Sequence, residues 1–553
     1  MKKRWRLPIA ESVAIGMVVL AMIWVWLNSC ASSGAITGVS AHPSASVSGA
    51  VYLVDGRPAA GAWVRVQTTS NLTYAAPDGG FTLSGLTEGV TVTVSAWYTG
   101  CKVGWAVVAP PTLPITITLK PYDMRDDAAY AWNTSYADPA NPTLGCGHCM
   151  APSFQEWQAT AHAGSGVNPR FFSLYNGTDL TGTQVSSPGY KLDFPDTAGN
   201  CATCHAPGAA YDAPFTTDMN ALTGVNREGV FCEFCHKVGA VYLDPATGRP
   251  YHNAPGVFSM RLYRPYPGDQ LFFGSLDDVT RRVSYLPLER KSQFCAPCHQ
   301  FSFWGTPIYE SFKEWQESPY PAQGVECQTC HMPPGTSPTF VLPEKGGLAR
   351  DPARLASHLD LGVKDLAFMQ STVAMSLTAR PIAGAVQVDV TLTNVGAGHH
   401  VPTDFPGRHM ILVVTATDAQ WTALPQRGGS TVPEWGGAQA GLPGQAFAKV
   451  LRDGQTGESP VVSYWKQAFI VSDNRIPALG SDTSVYTFTV LSAGGPVTVT
   501  AELRFRRAFQ DVMDAKGWSA PDIVMGKAQT TLSVPLWPSV FLPLVVRNAP
   551  ASE

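Results

Sequence analysis

The chain has 553 residues, a formal net charge of −4 and a charged fraction of only 14%. That length implies several domains, the charge balance excludes a nucleic-acid partner, and an apolar content of 45% excludes both a disordered chain and a polytopic membrane protein. Fifty-one glycines and 45 prolines favour loops and β structure over long surface helices.

Residues 1–30 read as an export signal. Lys2, Lys3, Arg4 and Arg6 precede an apolar run from Ser12 to Leu27. Leu27-Asn28-Ser29-Cys30 resembles a bacterial lipoprotein cleavage box, which would make Cys30 the lipidated first residue; the alternative is an uncleaved anchor. In both cases the expectation is an exported protein at the outer face of the cell membrane, periplasmic or on the cell surface, touching the membrane through its N-terminal anchor or lipid. Residues 31–45 read as a linker. From 46 to 120 apolar residues alternate, as at Val64 and Val66, Phe81 and Leu83, and Val90, Val92 and Val94. Turn signals stand at Asp55-Gly56, Asp78-Gly79-Gly80 and Glu88-Gly89. Period two with closely spaced turns predicts a small β-sandwich. Cys101 is alone in it, and a buried unpaired thiol is its expected state.

Between 121 and 365 the periodicity weakens and the cysteines concentrate. Ten of the 12 form five Cys-x-x-Cys pairs: Cys146/Cys149, Cys201/Cys204, Cys232/Cys235, Cys295/Cys298 and Cys327/Cys330. Four pairs are followed directly by histidine, at His205, His236, His299 and His331. Cys-x-x-Cys-His is the attachment pattern of c-type haem: two thiols add to one porphyrin edge, and the next residue ligates the proximal iron position. A zinc ribbon also uses Cys-x-x-Cys but has no need of a histidine after every pair. Haem c is attached outside the cytoplasm, in agreement with the export signal. The first pair reads Cys146-Gly147-His148-Cys149-Met150, with methionine in histidine's place. It is either a fifth haem, with Met150 as a ligand that raises its potential, or a disulfide. The stretch Phe154 to His162 recurs in altered form at Phe312 to Pro319, which favours haem.

A haem that only passes electrons is closed on both faces, so distal ligands are needed. His42 falls in the linker, His148 inside a motif loop, and His409 at the start of an apolar strand. The candidates left are His162, His252, His358, His399 and His400, with His358 expected on a helix and His399 and His400 on a glycine loop that stiffens into Val401-Pro402-Thr403. So few residues per pair cannot build separate cores, so the haems themselves must form much of this domain's core, stacked closely. From 366 to 536 alternation returns, at Val386 to Leu392, Ile411 to Thr415, Tyr486 to Val490 and Val497 to Leu503, and predicts a second β-sandwich that supplies a distal ligand. The tail 537–553 is too short in its apolar part to span a membrane. The expected architecture is therefore multidomain: a β-sandwich, a haem-packed, mostly α or irregular multihaem domain, and a C-terminal β-sandwich.

Two resemblances follow. Asp55-Gly56-Arg57-Pro58, Gly61-Ala62-Trp63-Val64 and Gly80-Phe81-Thr82-Leu83 resemble the carboxypeptidase regulatory-like β-sandwich, which implies a non-catalytic spacer or binding module. Gly229-Val230-Phe231-Cys232 to His236 and Gly324-Val325-Glu326-Cys327 to Pro333 resemble multihaem cytochromes related to the nitrifier tetrahaem cytochrome that accepts electrons from hydroxylamine oxidoreductase. That resemblance implies electron transfer between redox partner proteins. It also implies distal ligation by His162 and by the loop histidine His399, although Asp404 replaces the loop's final glycine. The first expectation is an electron carrier with four or five closed haems, rather than a catalyst. The alternative is a multihaem oxidoreductase acting on a small nitrogen or sulfur compound at the irregular first haem.

Overall fold

The computed structural model describes residues 44–535 except 139, 142–143, 186–187 and 491–493. The export segment with Cys30, the linker as far as residue 43 and the tail from 536 lie outside the described residues. No described helix is long and apolar enough to cross a membrane.

Seven strands between Ser44 and Leu119 form a three-stranded and a four-stranded sheet. Val47, Val51, Leu83 and Leu119 from one sheet and Val64, Val94 and Ala96 from the other fill one core. This is what alternating valines on paired strands dictate, since every second side chain faces the same way. Cys101 is buried and unpaired. The unit is bolted to the middle of the chain by Trp97, whose Nε1 donates to Ser284 Oγ at 3.2 Å, and by Arg65, which pairs with Asp277 at 2.9 Å.

The middle of the chain has only short helices and two-stranded ladders. Each Cys-x-x-Cys pair sits on one helical turn, which puts both thiols on one side. Two longer helices, Ala151–Gln158 and Pro169–Asn176, and the shorter Ser311–Gln316 surround them. His358 lies in a bend, not on the expected helix, because Pro352 and the extended residues after Arg354 interrupt it.

Beyond Val373 two four-stranded antiparallel sheets share one core, with Val386, Val388 and Val390 of one facing Leu412, Val499, Ala501 and Leu503 of the other. His409 starts a strand of this unit, wholly buried and stacked on Phe509. Loops and a strand end of the same unit reach back into the middle of the chain. Arg475 pairs with Glu314 at 2.7 Å, Lys449 with Glu310 at 2.6 Å, and Trp518 donates to Ser173 Oγ at 3.0 Å.

Candidate functional site

One connected cavity of about 2070 Å³ runs through the middle of the chain. That is at least twice the size of an ordinary single-ligand pocket. Four of the five cysteine pairs, 146/149, 201/204, 232/235 and 295/298, line it together with Met150, His162, His205, His236, His299 and His358. No cysteine of these pairs is in a disulfide.

The histidines are brought together from distant parts of the chain in pairs. The ring centroids of His162 and His299 are 6.4 Å apart, those of His236 and His358 6.3 Å, and those of His331 and His399 6.3 Å. Metal–imidazole bonds of about 2.0–2.1 Å on either side of one ion account for roughly 4 Å. The remainder, about 1.1 Å per ring, is the distance from a ring nitrogen to the centre of a five-membered ring with bonds of about 1.35 Å. The pairs therefore stand at the separation of two imidazoles sharing one metal. The His331–His399 pair sits outside the large cavity.

Their outer nitrogens agree. Nδ1 of His162 lies 2.9 Å from Asp360 Oδ2, that of His236 2.7 Å from the Phe273 carbonyl, and that of His331 2.6 Å from the Leu361 carbonyl. His399 Nδ1 lies 2.8 Å from the His400 carbonyl, and His299 Nδ1 3.4 Å from Asp404 Oδ2. A proton on Nδ1 held this way leaves the Nε2 lone pair for a metal, the arrangement that orients ligating histidines. Burial pushes His205 and His358 down to about 4, so both are neutral, as a ligand must be. Burial also opposes a charge on His236, but the Glu289 carboxylate outweighs it and lifts that imidazole to about 9. The donor set, thiol pairs beside paired imidazoles in an apolar cavity, fits haem c.

The remaining candidates fall elsewhere. His252 is exposed and away from the cavity, so it is not in position to ligate. His400 is turned from His331: its Nδ1 is 3.7 Å from Glu314 Oε1 and lacks a hydrogen-bond partner, while its neighbour His399 faces His331. His148 lies off the cavity. His205 has Phe171 stacked against it at 4.1 Å, and no described histidine stands opposite it. Among the described residues three histidine pairs form, and none stands opposite His205.

A duplication that the sequence hinted at through its two tryptophan segments becomes explicit in the hydrogen bonds. Trp157 Nε1 donates to the Val230 carbonyl at 2.9 Å, and Trp315 Nε1 to the Val325 carbonyl at 2.8 Å. Each valine lies two residues before a Cys-x-x-Cys-His motif and follows a glycine of positive φ, Gly229 at 78° and Gly324 at 72°, a conformation that side chains disfavour. Glu156 accepts from the His358 amide at 2.7 Å, and Glu314 from the His400 amide at 3.1 Å. Ser135 Oγ accepts from the Cys232 amide while Ser135 N donates to Glu228; Ser292 Oγ accepts from the Cys327 amide while Ser292 N donates to Glu326. The thiol of Cys146 lies beside that of Cys232, and the thiol of Cys295 beside that of Cys327. Pair 146/149 thus takes the place in one half that pair 295/298 takes in the other.

A family model described as cytochrome c554 and c-prime matches residues 145–237. Among solved structures, a penta-heme cytochrome c552 from Thermochromatium tepidum is similar with a TM-score of 0.51 and 21% identity, covering 70% of this chain and 97% of that one. A PapD-like domain of human CEP192 is matched at 8% identity over 31% of this chain and 87% of that one, with a TM-score of 0.13, too slight to bear on the fold. No curated protein matches. The likeness to the penta-heme structure is one of fold, and with the family match it supports a multihaem c-type cytochrome.

Proposed function

We propose that this chain is an extracytoplasmic electron-transfer protein holding five haem c groups, and the observation that carries this is the three histidine pairs at 6.3–6.4 Å beside cysteine pairs. Thioether attachment falls to the ten paired cysteines. His299 with His162, His236 with His358, and His331 with His399 would close both axial positions, which excludes water and substrate and leaves bound haem c its one-electron iron couple. The fifth attachment, at Cys146 and Cys149, is supported by the duplication, in which Met150 follows Cys149 as His299 follows Cys298.

Neighbouring thiols support an order. Cys146 is a near neighbour of Cys232, Cys298 of Cys204 and Cys295 of Cys327, and Cys235 lies within electrostatic reach of Cys295 and Cys298. The 295–299 motif is then a hub joined to the 201, 232 and 327 motifs, with the 146 motif reached through 232. Export and attachment to the membrane surface are part of the proposal, as are donor and acceptor proteins as partners.

One observation favours a second reading, an oxidoreductase. No described histidine stands opposite His205, which moves the ligand-accessible position from the first motif to the second. Intact mass with low-temperature EPR tests both. Five attached haems, at least three of them low-spin with two axial histidines, is the expected result. Fewer than three bis-histidine signals would refute the wire, and added small ligands altering a single high-spin signal would favour the oxidoreductase.

A further inference from the structure

The electron-transfer proposal makes no use of a cluster of positive charge in the wall of the cavity. Arg170, Arg408 and Arg507 all line the cavity, yet come from three segments. Arg170 opens the helix Pro169–Asn176, Arg408 ends the loop after Val401, and Arg507 follows a strand of the C-terminal unit. They are gathered by one apolar cluster in which Leu174, Phe405, Phe509 and Trp518 pack. Arg408 donates to the Thr403 carbonyl at 3.2 Å and Arg507 to the Val363 carbonyl at 3.0 Å. Among the described residues none of the three makes an ion pair with a carboxylate, although the chain has 42 acidic residues. Arg507 is lowered by burial and by the charges of Arg170 and Arg408. The Asp404 carboxylate offsets part of the charge on Arg408 without pairing with it, but like charges gathered in a partly buried wall still repel one another, and guanidinium forks match a carboxylate or oxyanion geometrically.

The neighbours indicate which group this is. Arg408 is on the loop of Asp404, which faces His299 Nδ1. Arg507 is bonded to Val363, close in the chain to Asp360, which faces His162 Nδ1. The two carboxylates behind His299 and His162 thus lead to two members of one arginine cluster, Arg408 and Arg507. We propose that Arg170, Arg408 and Arg507 form an anion clamp that binds the propionate carboxylates of the haem held between His162 and His299. This rests on the haem reading above. The clamp takes two of its three members from the C-terminal unit, which would make that unit part of the hub's electrostatics and not only a source of His399.

The test uses the holoprotein, with the haem count by alkaline pyridine haemochrome and EPR-monitored redox titration. The signal lost in His162→Ala identifies the haem concerned. Removing two cations with R408Q/R507Q leaves its carboxylates uncompensated and favours the ferric state. The expected result is at least a tenfold shift toward oxidised iron at fixed poise, about 59 mV for one electron, with most of it restored in R408K/R507K. The single variant R170Q shifts the same signal in the same direction by a smaller factor, and carries the test if the double variant does not fold. An unchanged potential in R170Q and in every folded double variant would overturn the clamp. So would inorganic phosphate at millimolar concentration shifting the wild-type signal but not that of R408Q/R507Q, because the site would then be open to soluble oxyanions. A wild-type protein without covalent haem would instead sink the electron-transfer proposal.

Discussion

Glu314→Ala should release His399 from its station opposite His331. The Glu314 carboxylate is almost wholly buried, pairs with Arg475 at 2.7 Å, and accepts from the His400 amide at 3.1 Å and Thr403 Oγ1 at 2.9 Å. Breaking a buried ion pair costs about 3–5 kcal/mol, and the Arg475–Asp473 pair, which survives, holds the loss to the lower half of that range. Two stranded donors add to it, at about 1 kcal/mol or more each. The expected loss is about 5–6 kcal/mol in denaturant unfolding, with one low-spin EPR signal converted to high-spin. Glu156→Ala, its counterpart, removes a single charge-assisted bond to the His358 amide, so about 1.5–3 kcal/mol. A Glu314→Ala loss below about 1 kcal/mol, or one smaller than that of Glu156→Ala, would refute the claim that these helices clamp the distal histidine loops.

His358→Ala removes one partner of His236, so EPR should show one added high-spin haem and ferrous protein should bind one more carbon monoxide. Cys146→Ser/Cys149→Ser should lower the intact mass by one haem; an unchanged mass would leave that pair as a dithiol. Met150→His should lower the most oxidising step of a redox titration, since methionine ligation raises the potential. Burial alone would raise the Asp453 carboxyl, but Lys466 and the amides of Thr456 and Gln455 outweigh it and hold it at about 2. A depressed carboxylate contributes stability that is present above its unfolded value near 3.9 and is lost as pH falls toward 2. Asp453→Asn should therefore cost about 2 kcal/mol at neutral pH and little at pH 2, measured by urea unfolding at both.

Sequence and structure contribute differently to this site. The Cys-x-x-Cys-His motifs are legible because attachment chemistry is local: thiols and proximal histidine lie within one helical turn. The two β regions are legible because alternating valines specify strand faces at short range. The histidine opposite His236, His299 or His331 is not local. His162 meets His299, and His358 meets His236, across long stretches of irregular chain, and composition carries no register for such loops. Adjacent residues illustrate this: His399 and His400 are equal candidates by type, and Glu314 and Arg475 decide between them by holding the backbone of one so that the ring of the other faces His331. His252 has the same chemistry as the others, and only its exposed position removes it.

The candidate cysteines and proximal histidines for covalent haem were legible in the sequence alone, because those residues are neighbours and their spacing is the chemistry. The tertiary structure alone decided which histidines face one another, that no described histidine stands opposite His205, and that three arginines converge on one wall. These depend on distances between residues far apart in the chain, which are set by the packing of the two β units around the cavity.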